Sequence, residues 1–533
     1  MDVVFFNGRI HTLDAAHPLV EALSVSLGRV VETGRSSELL SQLAPGVRRI
    51  DLGGRTVIPA LTDAHAHLLG YAEESAWLEL AGTASLDDIL GMISARLPGM
   101  PGGGWILGRG WDQNDWPVAR YPGKAPLDRA APDNPVYLVR VCGHAAFVNS
   151  LALRIAGITR NTPDPPGGRI LKDPEGEPTG ILLDNAVDLV SGRIPPIAPE
   201  ERRKLLAAAV RRCLAFGLAG VHEMGISARD VSLCRELYAA GELPFRVTAY
   251  LSADDPANGS FLESGPPPGR PGDLFRVVGA KFYADGSLGA RSAALLEDYS
   301  DEALNRGILM KSPEELYEQI LPWYEKGFQC AVHAIGDAAV REALDVFARL
   351  EAAHPAAGRR NRIEHAQVVS APDIRRFAAL GVIPSMQFTH CTSDMPWVEA
   401  RLGPERIKGA YAWRSLISAG SRIPGGSDFP VESPNPFPGI YAAVTRQDAS
   451  GRPEGGWRPS ERLTVEEAVG AFTVDAAYAA HAEASAGSLS AGLFADFVVI
   501  SGDVFSMEPR GIAGIRVLAT VLAGRTVYRA DDF

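Results

Sequence analysis

Between about Leu61 and about Asp428, short apolar runs alternate with stretches of helical character, and this alternation narrows the fold more than any other feature of the chain. It is the pattern of β/α units around a parallel barrel. Eight strand-like runs can be read in order, ending at His67, His144, Glu223, Asp285, His333, His365, Gln387 and Asp428. Eight such units make an α/β fold of the (β/α)8, TIM-like barrel type.

The flanks read differently. VVFFNGRIHTLD, ALSVSLGRVVETG and VRRIDLGGRTVIPAL near the start are β-rich runs punctuated by Asn-Gly, Leu-Gly and Gly-Gly, as hairpins are. FADFVVISGD and IRVLATVLAGRTVYRA repeat the style near the end. Residues 1–57 and 484–533 are therefore expected to build one small β-sandwich domain from both termini, with the barrel over 58–483. A typical barrel has roughly 250 residues, so this one must carry insertions. They fall at about 71–135 and about 161–199, the second expected to be irregular because NTPDPPGGRILKDPEGEPTG is rich in proline and glycine.

Charge and cysteine content exclude several classes. A formal charge of −12 with no basic run repels nucleic acid. No apolar run approaches the length of a membrane span, and the first residues lack a secretory signal, so a cytoplasmic protein without a membrane partner is expected. The five cysteines, Cys142, Cys213, Cys234, Cys330 and Cys391, form no C-x-x-C pair and read as reduced, buried thiols.

The chemistry is carried by residues at strand ends. His65 and His67 follow an apolar run two positions apart, so in an extended chain both rings point to one side and can meet one ion. His333 ends FQCAVH, His365 ends NRIEH, and Asp428 ends SRIPGGSD. Barrel active sites are assembled from just such positions. Imidazole and carboxylate suit zinc, with manganese or iron also compatible, and zinc is the default where no redox change is needed. Lys281 lies inside the apolar run FRVVGAKFY, where a lysine must be neutralised or paired. Either its ammonium reaches Asp285 or solvent, or it bridges two metals as a carbamate.

These segments resemble the amidohydrolase superfamily, and within it the YtcJ-like group of the amidohydrolase 3 type, over nearly the full length. The resemblance rests on NGRIHTLD, PALTDAHAHLLG, GRGWDQNDWP, GHAAFVNSLAL, KFYADGSLGARSAAL, VHAIGDAAV, RIEHAQ, GSDFPVESPNPFPGIYAAVTR and GSLSAGLFADFVVIS. It implies that His65 and His67 hold one metal, that Lys281 as a carbamate bridges to a second held by His333 and His365, and that Asp428 contacts the first. One zinc or two are open, with two favoured.

Hydrolysis of a carbon–nitrogen bond in a small amide, formamide or cyclic amide then follows as the expected activity. Metal lowers the pKa of its bound water, and Asp428 serves as general base. His144, Trp111, Asp112, Arg291 and His390 are candidate substrate contacts, Arg291 for an anionic group. His222 and Glu223 end a strand without a required metal role. Ester or lactone hydrolysis, or deamination at a single ion, fits the same residues, and a non-catalytic binding barrel is the reading from another class. Homodimerisation is a family expectation only.

Overall fold

The computed structural model describes every residue except 1, 142, 144, 166, 270, 271, 356, 357 and 533. The expectations for His144 and Cys142 lie outside the described residues. The chain divides into two compact units, one of residues 1–71 with 207–533 and the other of residues 72–206.

The first unit holds eight parallel strands: β1 (Leu61–Ala66), β2 (Leu218–Ile226), β3 (Arg246–Ser252), β4 (Phe275–Tyr283), β5 (Gln329–Ala334), β6 (Arg362–His365), β7 (Ile383–Gln387) and β8 (Gly425–Gly426). Each pairs with the next in chain order, and β1 pairs with β2. Across the remaining seam, the Asp428 amide donates to the His65 carbonyl at 2.8 Å. Beside it, the Asp63 carboxylate accepts the Ser427 hydroxyl at 2.6 Å and the Ser427 amide at 3.1 Å. The result is a near-closed, TIM-like barrel.

Helices cover it by burying one stripe each. In Asp337–Ala353, after β5, Val340, Leu344, Phe347 and Leu350 are buried, and such side chains contribute roughly 1.5–3 kcal/mol apiece when fully removed from water. Two further sheets come from the terminal segments. One has the order Arg29–Gly34, Ala22–Ser26, Val3–Phe6, Arg48–Asp51; the other runs Arg525–Arg529, Val517–Leu522, Phe497–Ile500, Thr56–Pro59, Arg9–His11, Leu19–Val20. Val3, Phe5 and Leu23 of the first sheet share a buried cluster with Ile10, Val57, Phe497 and Val521 of the second.

The other unit corrects two expectations. The apolar run before His144, read as the barrel's second strand, forms Val136–Arg140 inside a separate six-stranded sheet, between Ile106–Trp111 and Ala145–Val148. The third strand of the barrel is instead β3, RVTAYLS, which is not among the eight runs read from the sequence. The proline-rich second insertion is not irregular: Gly168–Lys172 and Pro178–Asp184 pair as an antiparallel hairpin. Its turn is closed by Gly176, at φ 84°, donating to the Asp173 carbonyl, so the proline and glycine serve the turn and the apolar ILK and ILL runs form the strands. No helix among the described residues is long and apolar enough to cross a membrane.

Candidate metal centre

His65 and His67 leave the carboxyl end of β1 on the same side, as their spacing requires, with ring centroids 5.5 Å apart. Asp428, just beyond β8, sets its Oδ1 at 3.4 Å from His65 Nε2 and 3.2 Å from His67 Nε2. His365, ending β6, brings its ring centroid to 4.7 Å from that of His65 and 4.6 Å from that of His333 on β5. Five residues from four strand ends thus converge, and ligand atoms of His65, His365 and Asp428 lie within 4.8 Å of one another. Two of the five sit on left-handed backbone, His365 at φ 74° and Asp428 at φ 61°. Such conformations persist at non-glycine residues when the surroundings enforce them.

Neighbours orient the rings. His65 Nδ1 is 2.6 Å from Glu364 Oε2, and His365 Nδ1 is 2.7 Å from Gln387 Oε1. Both partners accept, so Nδ1 carries the proton and Nε2 offers a lone pair. His333 Nε2 is 3.4 Å from the Gly286 carbonyl, which puts the proton there and leaves Nδ1 bare. Glu364 is itself gripped by Arg362, Nε to Oε1 at 2.7 Å and Nη2 to Oε2 at 3.0 Å. Sequence reading missed both residues of this pair. The available signal was RIEH itself, in which two opposite charges alternate with Ile363 and His365 along a strand.

Electrostatics at His65, His333 and His365 matches what a metal needs, whereas at His67 burial is outweighed by the Asp428 carboxylate, which raises the imidazole pKa. Burial, reinforced by the Lys281 ammonium, pulls the imidazole pKa of His65 down to about 4 and that of His333 to about 3. Burial and the two neighbouring imidazoles hold His365 well below the usual range. All three are neutral near pH 7, the state in which imidazole ligates. Burial opposes ionisation of Asp428, yet the surrounding histidines hold its carboxyl well below the ordinary range. Lys281 is buried on β4, and burial lowers its pKa to about 8 against the pull of Glu364 and Asp428.

His65 Nε2 and Asp428 Oδ1 are buried without a hydrogen-bond partner. Buried polar atoms are rarely left so. Nitrogen and oxygen donors aimed at a common space fit a divalent cation of the zinc type.

The remaining candidates separate. His390 joins the cluster, its Nε2 4.0 Å from Asp428 Oδ2. Asp285 does not offer a ligand, since its oxygens accept the backbone amides of Ala294, Ile335 and Gly336 at 2.8–2.9 Å. Asp285→Asn should therefore cost about 1–3 kcal/mol, because an amide group would face those donors, while zinc content stays at the wild-type value. Urea unfolding with elemental analysis checks both, and a loss of zinc would make Asp285 a ligand. His222 lies deep in the barrel, where its Nδ1 accepts from Arg362.

Trp111, expected at a ligand-binding mouth, is instead fully buried in the core of its own unit, donating to the Leu138 carbonyl and stacking on Trp116. Asp112 pairs with Arg140 and caps the turn at Asn114. Arg291, expected to be free for an anion, is held by Asp301 at 2.9 Å and by Glu302 at 3.3 Å.

A TIM-like barrel that gathers four imidazoles and a carboxylate at its strand ends defines a metal-dependent hydrolase. The chain matches the amidohydrolase family model over residues 48–528 and belongs to that family. It is accordingly a hydrolase acting on carbon–nitrogen bonds other than peptide bonds. It is 37% identical to the Bacillus subtilis protein YtcJ, named as an amidohydrolase, over 99% of each chain. It is 28% identical to an N-substituted formamide deformylase of Arthrobacter pascens, over 99% of this chain and 98% of that one. Among solved structures, an uncharacterised metal-dependent hydrolase from Pyrococcus furiosus superposes with a TM-score of 0.78 at 30% identity, covering 95% of this chain and 100% of the other.

Proposed function

We propose that the protein hydrolyses a small N-substituted formamide, amide or cyclic amide at a zinc centre formed by His65, His67, His333, His365 and Asp428, with Lys281 as a bridging carbamate between two ions. The observation that carries this is the convergence of ligand atoms of His65, His365 and Asp428 within 4.8 Å of one another, with His65 Nε2 and Asp428 Oδ1 buried and without a hydrogen-bond partner. The formamide class is supported by the name of the Arthrobacter pascens relative. Zinc in this site supplies a water of lowered pKa and polarises the substrate carbonyl.

The protein's own residues do the rest. Asp428, ionised and set between the rings, takes the proton from the attacking water and delivers it to the departing nitrogen. Glu364 and Gln387 keep His65 and His365 in the tautomers that ligate. Carbamate formation requires Lys281 to lose a proton before its Nζ attacks CO2, and the lowered pKa makes the neutral amine accessible near pH 8. The two terminal sheets, joined by their shared apolar cluster, are inferred to form a β-sandwich beside the barrel.

The test is elemental analysis of zinc-loaded wild type and Lys281→Ala, with turnover of N-butylformamide, acetamide, dihydrouracil, 4-nitrophenyl acetate, γ-butyrolactone and cytosine. About two zinc ions per chain falling toward one, with amide turnover, is the expected result. One ion in both proteins with cytosine deamination would replace the binuclear reading. No zinc uptake by either would overturn the assignment.

A further inference from the structure

Three of the clustered rings keep a bare nitrogen: Nε2 of His65, which faces Asp428 Oδ1 at 3.4 Å, Nε2 of His365 and Nδ1 of His333. His390 is oriented the other way. It lies in the helix Phe388–Asp394 that follows β7, and its Nδ1 is 3.3 Å from the amide nitrogen of Gln367. An amide nitrogen can only donate, so Nδ1 is the acceptor and the ring proton sits on Nε2. That nitrogen is buried with no hydrogen-bond partner. It stands 4.0 Å from Asp428 Oδ2, beyond hydrogen-bond reach. The ring lies nearly parallel to that of His365, at 12° with centroids 6.2 Å apart, so it borders the same space.

A nitrogen that carries its proton has no lone pair for a metal, and a buried donor without an acceptor marks a place that another group fills. Opposite it stands the carboxylate proposed to handle the proton of the attacking water. A group that an N–H donor fixed beside a base can serve is the carbonyl under attack, whose oxygen, set against Nε2–H and away from the Asp428 carboxylate, gains negative charge as the water adds.

We propose that His390 donates its Nε2–H to the oxygen of the scissile carbonyl and to the oxyanion that develops there, and that Gln367 is the positioning residue that keeps the proton on Nε2. The acceptor's identity rests on the hydrolytic reading above; the tautomer rests on the Gln367 contact alone.

The experiment compares zinc-loaded wild type, His390→Gln, His390→Leu and Gln367→Leu, each with 15N-labelled histidine. In wild type the ring that disappears from the spectrum of His390→Gln should show a protonated Nε2 and an unprotonated Nδ1. Zinc content should be equal in wild type and both His390 variants. On the compound of the named panel that wild type turns over fastest, His390→Leu should lose roughly 10²–10³-fold in kcat, with KM moved far less. His390→Gln, which keeps an N–H at similar reach, should recover much of that loss. Gln367→Leu should shift the proton toward Nδ1 and lower kcat by an intermediate factor.

A protonated Nδ1 in wild type, or zinc lost from both His390 variants, would make His390 a ligand and overturn the proposal. Undiminished kcat in His390→Leu would overturn it too, leaving Nε2–H as a donor to water. If wild type turns over nothing while the tautomer and zinc content are as expected, the hydrolytic reading fails and the carbonyl acceptor with it, and the protonated Nε2 stands.

Discussion

Asparagine at position 428 should lower kcat by roughly 10²–10⁴-fold, the range associated with a positioned general base, while the protein stays folded. Asp428 Oδ1 sits within 3.4 Å of two imidazole nitrogens and has no hydrogen-bond partner, so its charge is available to the reaction. The histidines around it keep it ionised in spite of burial, and the neutral amide of asparagine cannot take a proton. Shape is nearly conserved. The left-handed backbone at φ 61° is one that asparagine tolerates better than most residues, and the amide of residue 428 still donates to the His65 carbonyl. Thermal unfolding should therefore move little. Measuring kcat, zinc content and Tm together separates the outcomes: full turnover with zinc bound would remove Asp428 from the role of base, whereas turnover lost only in step with zinc would make it a ligand and nothing more.

The convergence of His65, His67, His333, His365 and Asp428 was legible in the sequence because each lies at or just beyond the end of a strand, and strand ends in a barrel converge whatever lies between them. His65 and His67 needed only the two-residue period of extended chain. What could not be read locally was pairing. VYLVR is as apolar as a barrel strand, and nothing within it states that its neighbours are Ile106–Trp111 and Ala145–Val148. The true strand β3, RVTAYLS, was masked by its polar residues, which belong there because Tyr250 points into the barrel and bonds Gln329 and Arg362. Trp111 sits in the Gly/Trp/Pro-rich GRGWDQNDWP and reads as a substrate contact, but its indole has an apolar core and a carbonyl acceptor waiting. The partner that sets the tautomer of His65 is Glu364, 299 positions away. Contacts of that kind appear only once the barrel has closed.

Replacing Arg362 with methionine should destabilise the first unit by about 3–5 kcal/mol, the cost of stripping one partner from a buried ion pair. Arg362 is fully buried on β6, yet its guanidinium reaches the Ala64 carbonyl on β1, His222 Nδ1 on β2, the Tyr250 hydroxyl on β3 and the Ser385 hydroxyl on β7, besides both oxygens of Glu364. One side chain therefore links five of the eight strands through their interior. Methionine fills much of the volume but strips from the buried Glu364 carboxylate the guanidinium that bonds both its oxygens. That carboxylate is held ionised, against burial, chiefly by Arg362. Without the arginine it should bind a proton and grip His65 Nδ1 less well, so zinc affinity should fall as well, by roughly 10–100-fold as for other residues that orient a ligand. Glu364→Gln alone should also destabilise, because it strands the guanidinium. The double variant Arg362→Met with Glu364→Gln should be less destabilised than the sum of the two, since it buries no unpaired charge. Denaturant unfolding of the four proteins, with zinc affinity measured by chelator competition, decides the matter. Additive losses, or a single variant with wild-type stability and wild-type zinc affinity, would show that the barrel interior does not depend on the pair and that His65 is oriented by something else.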